Sequence, residues 1–264
     1  MNFKIKNLFK AGEVMKIAIT DFDGTLKDFN GGIPKSNVEA IHKWRKVGNK
    51  FGIATGRNLK MLDFDLKNYD ITLDFVICVN GAVIIDKDKN ILHSEKIPPS
   101  VMKNFVELSL IKDSNKPMIV FCEKELFAIR PYPEMPNELI PKISLDEVVK
   151  RDDVVQFGIE FDNIDEPVEA IEILKKNIPT LGGNQNRNYL DININGINKK
   201  FGVAKLIELM KWQDCPLFVI GDDKNDLPMI NQFNGYTVKN AAEFMYKAAK
   251  KVYNSVGDML IDNL

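Results

Sequence analysis

Histidine and cysteine are scarce in this chain of 264 residues, and each shortage removes a class of chemistry. With two histidines, His42 and His93, a histidine-rich metal centre or a His-centred relay is not expected. The three cysteines, Cys78, Cys122 and Cys215, are odd in number and widely spaced, which argues against a disulfide framework and leaves no CxxC pair for zinc. They read as small core residues in a reducing, cytoplasmic setting. Long apolar runs are also missing. Phe75 to Val79 and Leu217 to Ile220 have the length of strands, far below the roughly 20 residues that cross a bilayer. Charge of one sign is not in excess either: Lys plus Arg is 36 against Asp plus Glu 37, a net charge of -1. Such a surface has no overall field to gather nucleic acid or an anionic membrane, and neither is expected as a partner. There is no internal repeat. What remains, 45% hydrophobic and 28% charged, is the composition of a globular protein with room for one large domain or two small ones. Residues 1–14 lack the apolar segment and cleavage site of a secretory signal and are expected to form an unstructured leader, with Met15 competing with Met1 as the native start.

Short β-branched runs alternate with helical patterns at both ends of the chain. Lys16 to Thr20, Phe51 to Ala54 and Phe75 to Val79 read as buried strands, and Ser36 to Val47 and Leu59 to Leu66 as helices, the first capped by Ser36 and stopped at Gly48. The same grammar returns with a helix over Phe201 to Trp212, strands at Leu217 to Ile220 and Gly235 to Val238, and a helix over Ala241 to Lys251. This alternation predicts an α/β fold of right-handed βαβ units around a parallel sheet covered on both faces. Between Val83 and Leu190 the runs come in pairs, as in Met118 to Phe121 with Leu126 to Arg130 and in Val155 to Phe161, beside helices near Val101 to Ile111 and Glu166 to Lys176. Pairs of this kind predict an α+β insert, and Pro131, Pro133, Pro136 and Pro141 mark a loop or edge within it. The expected division is therefore a core of residues 15–82 and 191–264 around an insert of residues 83–190. About 140 residues separate Arg57 from Lys199, too many for a simple connection.

Three strands end in small polar motifs, and in an open parallel sheet such ends share one edge, where ligands bind. Asp21 and Asp23 lie two apart, so in an extended segment both carboxylates reach one side, and Gly24 permits the turn that follows. Asp222 and Asp226 add oxygen at another strand end, a donor set suited to a hard cation such as Mg²⁺. Thr55 offers a hydroxyl to a phosphate oxygen, and Lys199 a point positive charge to the same group. Two aspartates, a cation, a hydroxyl and a lysine together imply phosphoryl transfer through a carboxylate nucleophile. Arg57 reads equally as a substrate contact or a structural ion pair, and Asn80 as a turn-former or a phosphate neighbour. The polar stretch Gly182 to Asn188, with Arg187, reads either as a solvent loop or as a surface facing a hydroxylated leaving group. Lys224, between Asp223 and Asn225, is expected to pair with Asp223.

Asp21-Phe22-Asp23-Gly24-Thr25-Leu26, Thr55-Gly56-Arg57, Lys199 and Gly221-Asp222-Asp223-Lys224-Asn225-Asp226 together resemble the four ordered motifs of haloacid dehalogenase-superfamily phosphatases. Asn80-Gly81-Ala82, Gly196-Ile197-Asn198-Lys199 and Val238-Lys239-Asn240-Ala241 extend the resemblance to the Cof type and carry it from about Met15 to the C-terminus. The resemblance implies a Rossmann-like core with an inserted α+β cap that sets substrate specificity. Asp21 would attack phosphorus, and Asp23 would protonate the leaving oxygen and later activate water. Mg²⁺ would be held by Asp21, the Asp23 carbonyl and Asp222, with Asp226 behind or among these ligands. Thr55, Gly56, Arg57, Asn80, Asn225 and Arg187 would lie around the phosphate or the substrate. One departure is Lys200, which stands where the family often has glycine; the spacing from Gly196-Ile197-Asn198 assigns the lysine role to Lys199. The implied activity is a Mg²⁺-dependent phosphomonoesterase acting on small phosphorylated metabolites, with sugar phosphates as the first class. A phosphomutase using the same aspartate pair and a sensor without turnover are the alternatives, the second disfavoured by the full set of Asp21, Asp23, Lys199 and Asp222.

Overall fold

The computed structural model describes residues 14–28, 31–131 and 140–264. The leader expected over residues 1–14 lies outside these except for Val14, which is exposed, and so do Pro133 and Pro136 of the proline-rich stretch. In chain order the elements are β1 (Ile17–Thr20), α1 (Lys35–Lys46), β2 (Lys50–Ala54), α2 (Leu59–Leu66), β3 (Phe75–Cys78), β4 (Val83–Asp86), β5 (Ile91–Ser94), α3 (Pro99–Val106), α4 (Ser109–Lys112), β6 (Met118–Cys122) and β7 (Leu126–Arg130). There follow α5 (Leu145–Val148), β8 (Val154–Glu160), α6 (Glu166–Asn177), β9 (Leu181–Asn186), β10 (Tyr189–Ile194), α7 (Lys199–Met210), β11 (Leu217–Gly221), α8 (Leu227–Phe233), β12 (Tyr236–Val238), α9 (Glu243–Ala248), β13 (Val252–Tyr253) and α10 (Val256–Asp262). Eight strands form one sheet in the order β13-β12-β11-β1-β2-β3-β4-β5, parallel from β13 to β3 and antiparallel from β3 to β5. The other five form an antiparallel sheet, β7-β6-β8-β10-β9, the centre of a separate β-rich cap region.

Side-chain alternation explains both sheets. In β1, Ile17 and Ile19 join Val203 and Leu206 of α7 and Met229 of α8, while Ala18 joins Ile41 and Trp44 of α1 and Leu62 of α2. A strand buried on both faces needs an apolar run, which Ile17 to Ile19 supplies, and the buried Thr20 that follows satisfies its hydroxyl on the Asp21 carbonyl. In β6, Met118, Val120 and Cys122 pack with Phe105 of α3 and Leu174 of α6, whereas Ile119 and Phe121 join the cluster of the first sheet. The cap sheet thus has its helices on one face and turns the other toward the core. Among the described residues no helix is long and apolar enough to cross a membrane. The three cysteines are free thiols, Cys78 and Cys122 buried and Cys215 partly so.

Tertiary context alters several local expectations. Ser36 is not the cap of α1: the N-cap position belongs to Pro34, no side chain caps it, and Ser36 falls inside the first turn. Gly48 does end that helix, at φ +93° with its amide bonded to the Arg45 carbonyl at 2.9 Å. The helix expected near Val101 to Ile111 breaks at the extended Leu108 into α3 and α4, an arrangement that buries both Phe105 and Ile111. Gly182 to Asn186 is no loop but the edge strand β9, joined to β10 by a two-residue turn at Arg187 and Asn188 in which Arg187 has φ +55°. Residues 83–94, placed in the insert by the sequence pattern, pair as β4 and β5 with the first sheet, and Asp191 to Ile194 pair within the second. A one-turn reversal after β3, where Val79, Asn80 and Gly81 all have positive φ, sends β4 back alongside β3.

That reversal meets α7 at close range. A Cβ on Gly202 would lie 2.5 Å from Ile77 Cγ2 and 2.7 Å from Gly81 Cα. Alanine is favoured over glycine inside a helix by roughly 0.5–1 kcal/mol, but forcing atoms into a packed contact costs about 1–3 kcal/mol. Gly202→Ala is therefore expected to lower Tm, by about 2–8 °C, and to disturb Lys199 one turn earlier. Thermal unfolding checks this, and a Tm equal to or above that of the native protein would show that the two segments part without cost.

Candidate active site

Strand ends supply the acidic residues. The amide of Asp21, the residue after β1, donates to the Ile220 carbonyl of β11 at 2.9 Å, while Thr20 Oγ1 donates to the Asp21 carbonyl at 2.7 Å. Gly24, at φ +84°, turns the chain, and its amide donates to the Lys27 carbonyl at 2.8 Å. Asp222 follows β11, and Thr25 Oγ1 donates to its Oδ1 at 2.6 Å, so the turn after β1 grips the turn after β11. Gly221 makes room for Asp226, whose carboxyl carbon would lie 2.4 Å from a Cβ there.

Lys199, the first residue of α7, is fully buried among these carboxylates. Its Nζ donates to Asp21 Oδ1 at 2.5 Å and to Asp226 Oδ1 at 2.6 Å. Asp226 Oδ2 in turn accepts from the amides of Asp222 and Asp223 at 3.0 and 3.3 Å. Both Asp226 oxygens are thus engaged within the protein, while Asp21 and Asp222 keep a face toward the cavity above. One oxygen each of Asp21, Asp222 and Asp226 lie within 4.8 Å of one another. Three buried carboxylates against one ammonium leave an excess of negative charge, and the titration of Asp21 and Asp222 reflects it. Burial, with Asp226 and Asp222 nearby, pushes the Asp21 carboxyl well above the usual range despite Lys199. Burial and Asp226 push Asp222 up to about 6. Burial opposes the charge on Lys199, but attraction to Asp21 and Asp226 outweighs it and holds the ammonium firmly protonated. An all-oxygen donor set with surplus negative charge fits a hard divalent cation. Lys200, by contrast, is exposed.

The second wall comes from the turns after β2 and β3, stitched together by the bonds Asn80 N to Thr55 O at 2.9 Å and Val79 N to Arg57 O at 3.0 Å. Thr55 is buried with its hydroxyl accepting from the Arg57 amide at 3.2 Å. Arg57 forms a bidentate pair with Asp23, Nε to Oδ2 at 2.6 Å and Nη2 to Oδ1 at 2.8 Å, and reaches Asp65 of α2 with Nη1 at 2.5 Å. It lies over the Phe22 ring, 5.3 Å from the centroid. The side chain of Asp23 is accordingly held beside Arg57 and apart from the Asp21, Asp222 and Asp226 cluster.

A cavity of about 620 Å³ lies between core and cap, with Asp21, Asp23, Thr55, Gly56, Arg57, Asp222, Asn225 and Arg187 among its walls. Lys199, Asn80 and Asp226 stand behind that lining. Asn80 joins the two domains: its Nδ2 donates to Asp191 Oδ2 at 2.7 Å and Gln156 Oε1 at 3.2 Å, both from the cap sheet, and its Oδ1 accepts from Asn225 at 3.4 Å. Asp191 was absent from the candidates drawn from sequence. It projects into the cavity between Gly56 and Gly158, either of whose hypothetical Cβ atoms would lie 3.5 Å from its carboxylate. Burial raises its carboxyl to about 7, against the opposing pull of Asn80 and Lys199. The signal available in the sequence is an acid set between Leu190 and Ile192, on the face opposite these two buried apolar residues. Lys224 departs from expectation: its backbone amide bonds Asp223, but its Nζ donates to Gln185 Oε1 of the cap at 2.6 Å. His42 and His93 bond Asp70 and Glu95, outside the cavity lining.

Comparison with known proteins agrees with this geometry. A family model described as haloacid dehalogenase-like hydrolase matches residues 18–259. The 5-amino-6-(5-phospho-D-ribitylamino)uracil phosphatase YcsE of Bacillus subtilis is 25% identical over 236 residues, covering 89% of this chain and 88% of that protein. Among solved structures, the superfamily phosphatase BT1666 from Bacteroides thetaiotaomicron aligns with a TM-score of 0.77 at 24% identity, covering 97% of each chain. The subclass IIB sugar phosphatase BT4131 aligns with a TM-score of 0.78 at 23% identity, covering 94% of this chain and 99% of the other.

Proposed function

This chain belongs to the haloacid dehalogenase-like hydrolases and is a phosphatase, and from that premise we propose that it is a Mg²⁺-dependent phosphomonoesterase that releases phosphate from small hydroxylated metabolites, sugar phosphates first, through an aspartyl-phosphate on Asp21. The observation that carries this reading is the Asp21–Lys199–Asp226 chain with Asp222 beside it, opening into a cavity whose other wall holds Asp23 and Arg57.

Asp21 and Asp222 would hold the cation, since they keep oxygens toward the cavity, and Asp226 would support them through its bonds to Lys199 and the loop amides. When bound, Mg²⁺ offsets the repulsion between the aspartates and a phosphate dianion. Lys199 holds one Asp21 oxygen, so the other is presented to phosphorus in a fixed direction. The Asp21 oxygen forms the new bond to phosphorus, the bond to the leaving oxygen breaks, and Asp23 gives that oxygen its proton. Asp23 then takes a proton from the water that cleaves the acyl phosphate, which restores Asp21. For either transfer one Arg57 bond to Asp23 must loosen, and the phosphate is the anion able to draw Arg57 away. Thr55 and the neighbouring turn amides would donate to the phosphate oxygens.

The cap supplies the leaving-group end of the cavity, with the apolar Ile119, Phe121 and Leu126 beside the polar Asp191, Asn186 and Tyr189. That mixture suits a hydroxylated carbon skeleton. In support, the Bacillus relative is named for a phosphorylated ribitylamino compound and one structural neighbour for sugar phosphates. The test is phosphate release from a panel of sugar, polyol and nucleotide phosphates. Mg²⁺ is expected to be required, EDTA to abolish release, and added Mg²⁺ to raise the Tm of chelator-treated protein by several degrees, because it binds the folded state alone. Turnover that survives EDTA, together with a Tm indifferent to Mg²⁺, would reject the metal reading.

A further inference from the structure

The loop that carries Asp222 and Asp226 is gripped from above by the cap. Gln185 of β9 is 9% exposed, and its Nε2 donates to the Ile164 carbonyl at 2.7 Å and the Arg187 carbonyl at 3.0 Å. Those two bonds leave its Oε1 aimed at the core, where Lys224 Nζ meets it at 2.6 Å. Beside this contact Arg187, at the hairpin tip, stands 3.8 Å from Asp223. Lys224 and Asp223 belong to the short turn whose amides bind Asp226, and Asp226 positions Lys199, which positions Asp21. A continuous series of polar contacts therefore runs from the cap hairpin to the nucleophile.

We propose that Lys224 and Gln185 form a latch by which the closed cap holds the Gly221–Asp226 loop in the shape that presents its carboxylates, making Lys224 a positioning residue. The inference rests on the phosphatase reading above and adds its regulation by the cap. Lys224 touches none of the reacting atoms; the residue is exposed and its side chain is tied down at its tip. Small displacements of catalytic groups are costly, a 1 Å shift reaching about 100-fold in rate, so a single tie between two domains can regulate the site.

Lys224→Met is expected to lower kcat/KM for a sugar phosphate about 10- to 150-fold, the range of one charged hydrogen bond. Lys224→Arg, which can still reach the amide oxygen, should recover to within about 3-fold of the native enzyme. Gln185→Met should behave like Lys224→Met, and the double variant should be no worse than about 2-fold below either, since both remove the same bond. Hydrogen exchange, measured without substrate or metal, reads the latch apart from turnover: amides of residues 182–190 should exchange at least about 5-fold faster in Lys224→Met. Unchanged exchange overturns the latch, and faster exchange with unaltered or fully additive kinetics overturns its link to the carboxylate loop. Absence of phosphate release by the native protein would instead defeat the phosphatase reading and, with it, the catalytic half of the proposal, while the exchange result would still decide whether the tie exists.

Discussion

Asp21→Asn is expected to reduce phosphate release by at least about 10⁴-fold, because an amide oxygen neither attacks phosphorus at a useful rate nor leaves an acyl phosphate that water can cleave. The same substitution should leave the metal-free protein as stable as before or more so. Asp21 is one of three carboxylates crowded around a single ammonium, and burial together with Asp226 and Asp222 already disfavours its charge. Asparagine keeps an acceptor for Lys199, and Lys199 keeps Asp226 as counter-ion. The informative result is the pair of measurements, a silent enzyme in the phosphate assay and an undiminished Tm in chelator at pH 8. Residual turnover within 10-fold of the native rate would remove Asp21 from the nucleophile's place.

Lys199→Met should show the opposite combination, losing activity and stability together. Removing one member of a buried charge cluster leaves the others uncompensated, typically a cost of about 3–5 kcal/mol. Without Lys199 the Asp21 and Asp226 oxygens lose their shared donor, and the nucleophile loses its aim. The loss should depend on pH. Asp21 and Asp222 have folded-state pKa values raised above those of an unfolded chain, Asp222 to about 6, so from about pH 4 up to those raised values the folded protein binds more protons than the unfolded one. Stability from these groups is full below that window and falls as pH rises through it. Loss of the ammonium raises the carboxyls further, so the deficit of Lys199→Met should be smallest near pH 5 and largest near pH 8, with Mg²⁺ restoring part of it at the higher pH. Urea unfolding at both pH values, with and without Mg²⁺, measures this. A deficit independent of pH and metal would mean that packing, and not charge balance, is what Lys199 supplies.

The parts of this molecule that could be read from sequence are those fixed by neighbours along the chain. Asp21, Thr55 and Asp222 each follow an apolar run that β-branched residues and burial make into a strand, and parallel strands bring their ends to one edge. Lys199 was read from its spacing after Gly196-Ile197-Asn198, and that spacing has a local basis: Asn198 caps the helix that begins at Lys199, two residues before the expected start at Phe201, through a 3.1 Å bond from the Phe201 amide. What depended on docking two sheets was not accessible. Asp191 and Gln156 sit in strands whose local pattern does not say which face meets the core, and their partner Asn80 is 111 and 76 residues away. The polar edge strand β9 reads as a loop because it has few apolar residues; only its register with β10 makes it a strand. Residues 83–94 fall within the expected insert, but the sheet they join is decided by the backbone reversal at Val79 to Gly81. Lys224 meets Gln185 across the domains at 2.6 Å, while Asp223 Oδ1 accepts from the Lys224 backbone amide, a pairing that only the docking of the cap decides.

The residues assigned to the phosphoryl chemistry follow strands of the first sheet or, like Lys199, open a helix packed on it, while the second sheet enters after β5 and leaves after β10 as one excursion of the chain. On the reading proposed above, exchanging that excursion for another of different shape would change which substrates fit. The exchange is asymmetric at its two seams. On the way in, β5 lies away from the acidic cluster at the far edge of the sheet. On the way out, only Asn195, Gly196, Ile197 and Asn198 separate β10 from Lys199, and Asn184 of the hairpin holds the Ile197 carbonyl at 3.1 Å. A successful graft would have to carry that exit strand's geometry with it, so the last few residues of the insert are where heredity should tolerate the least change.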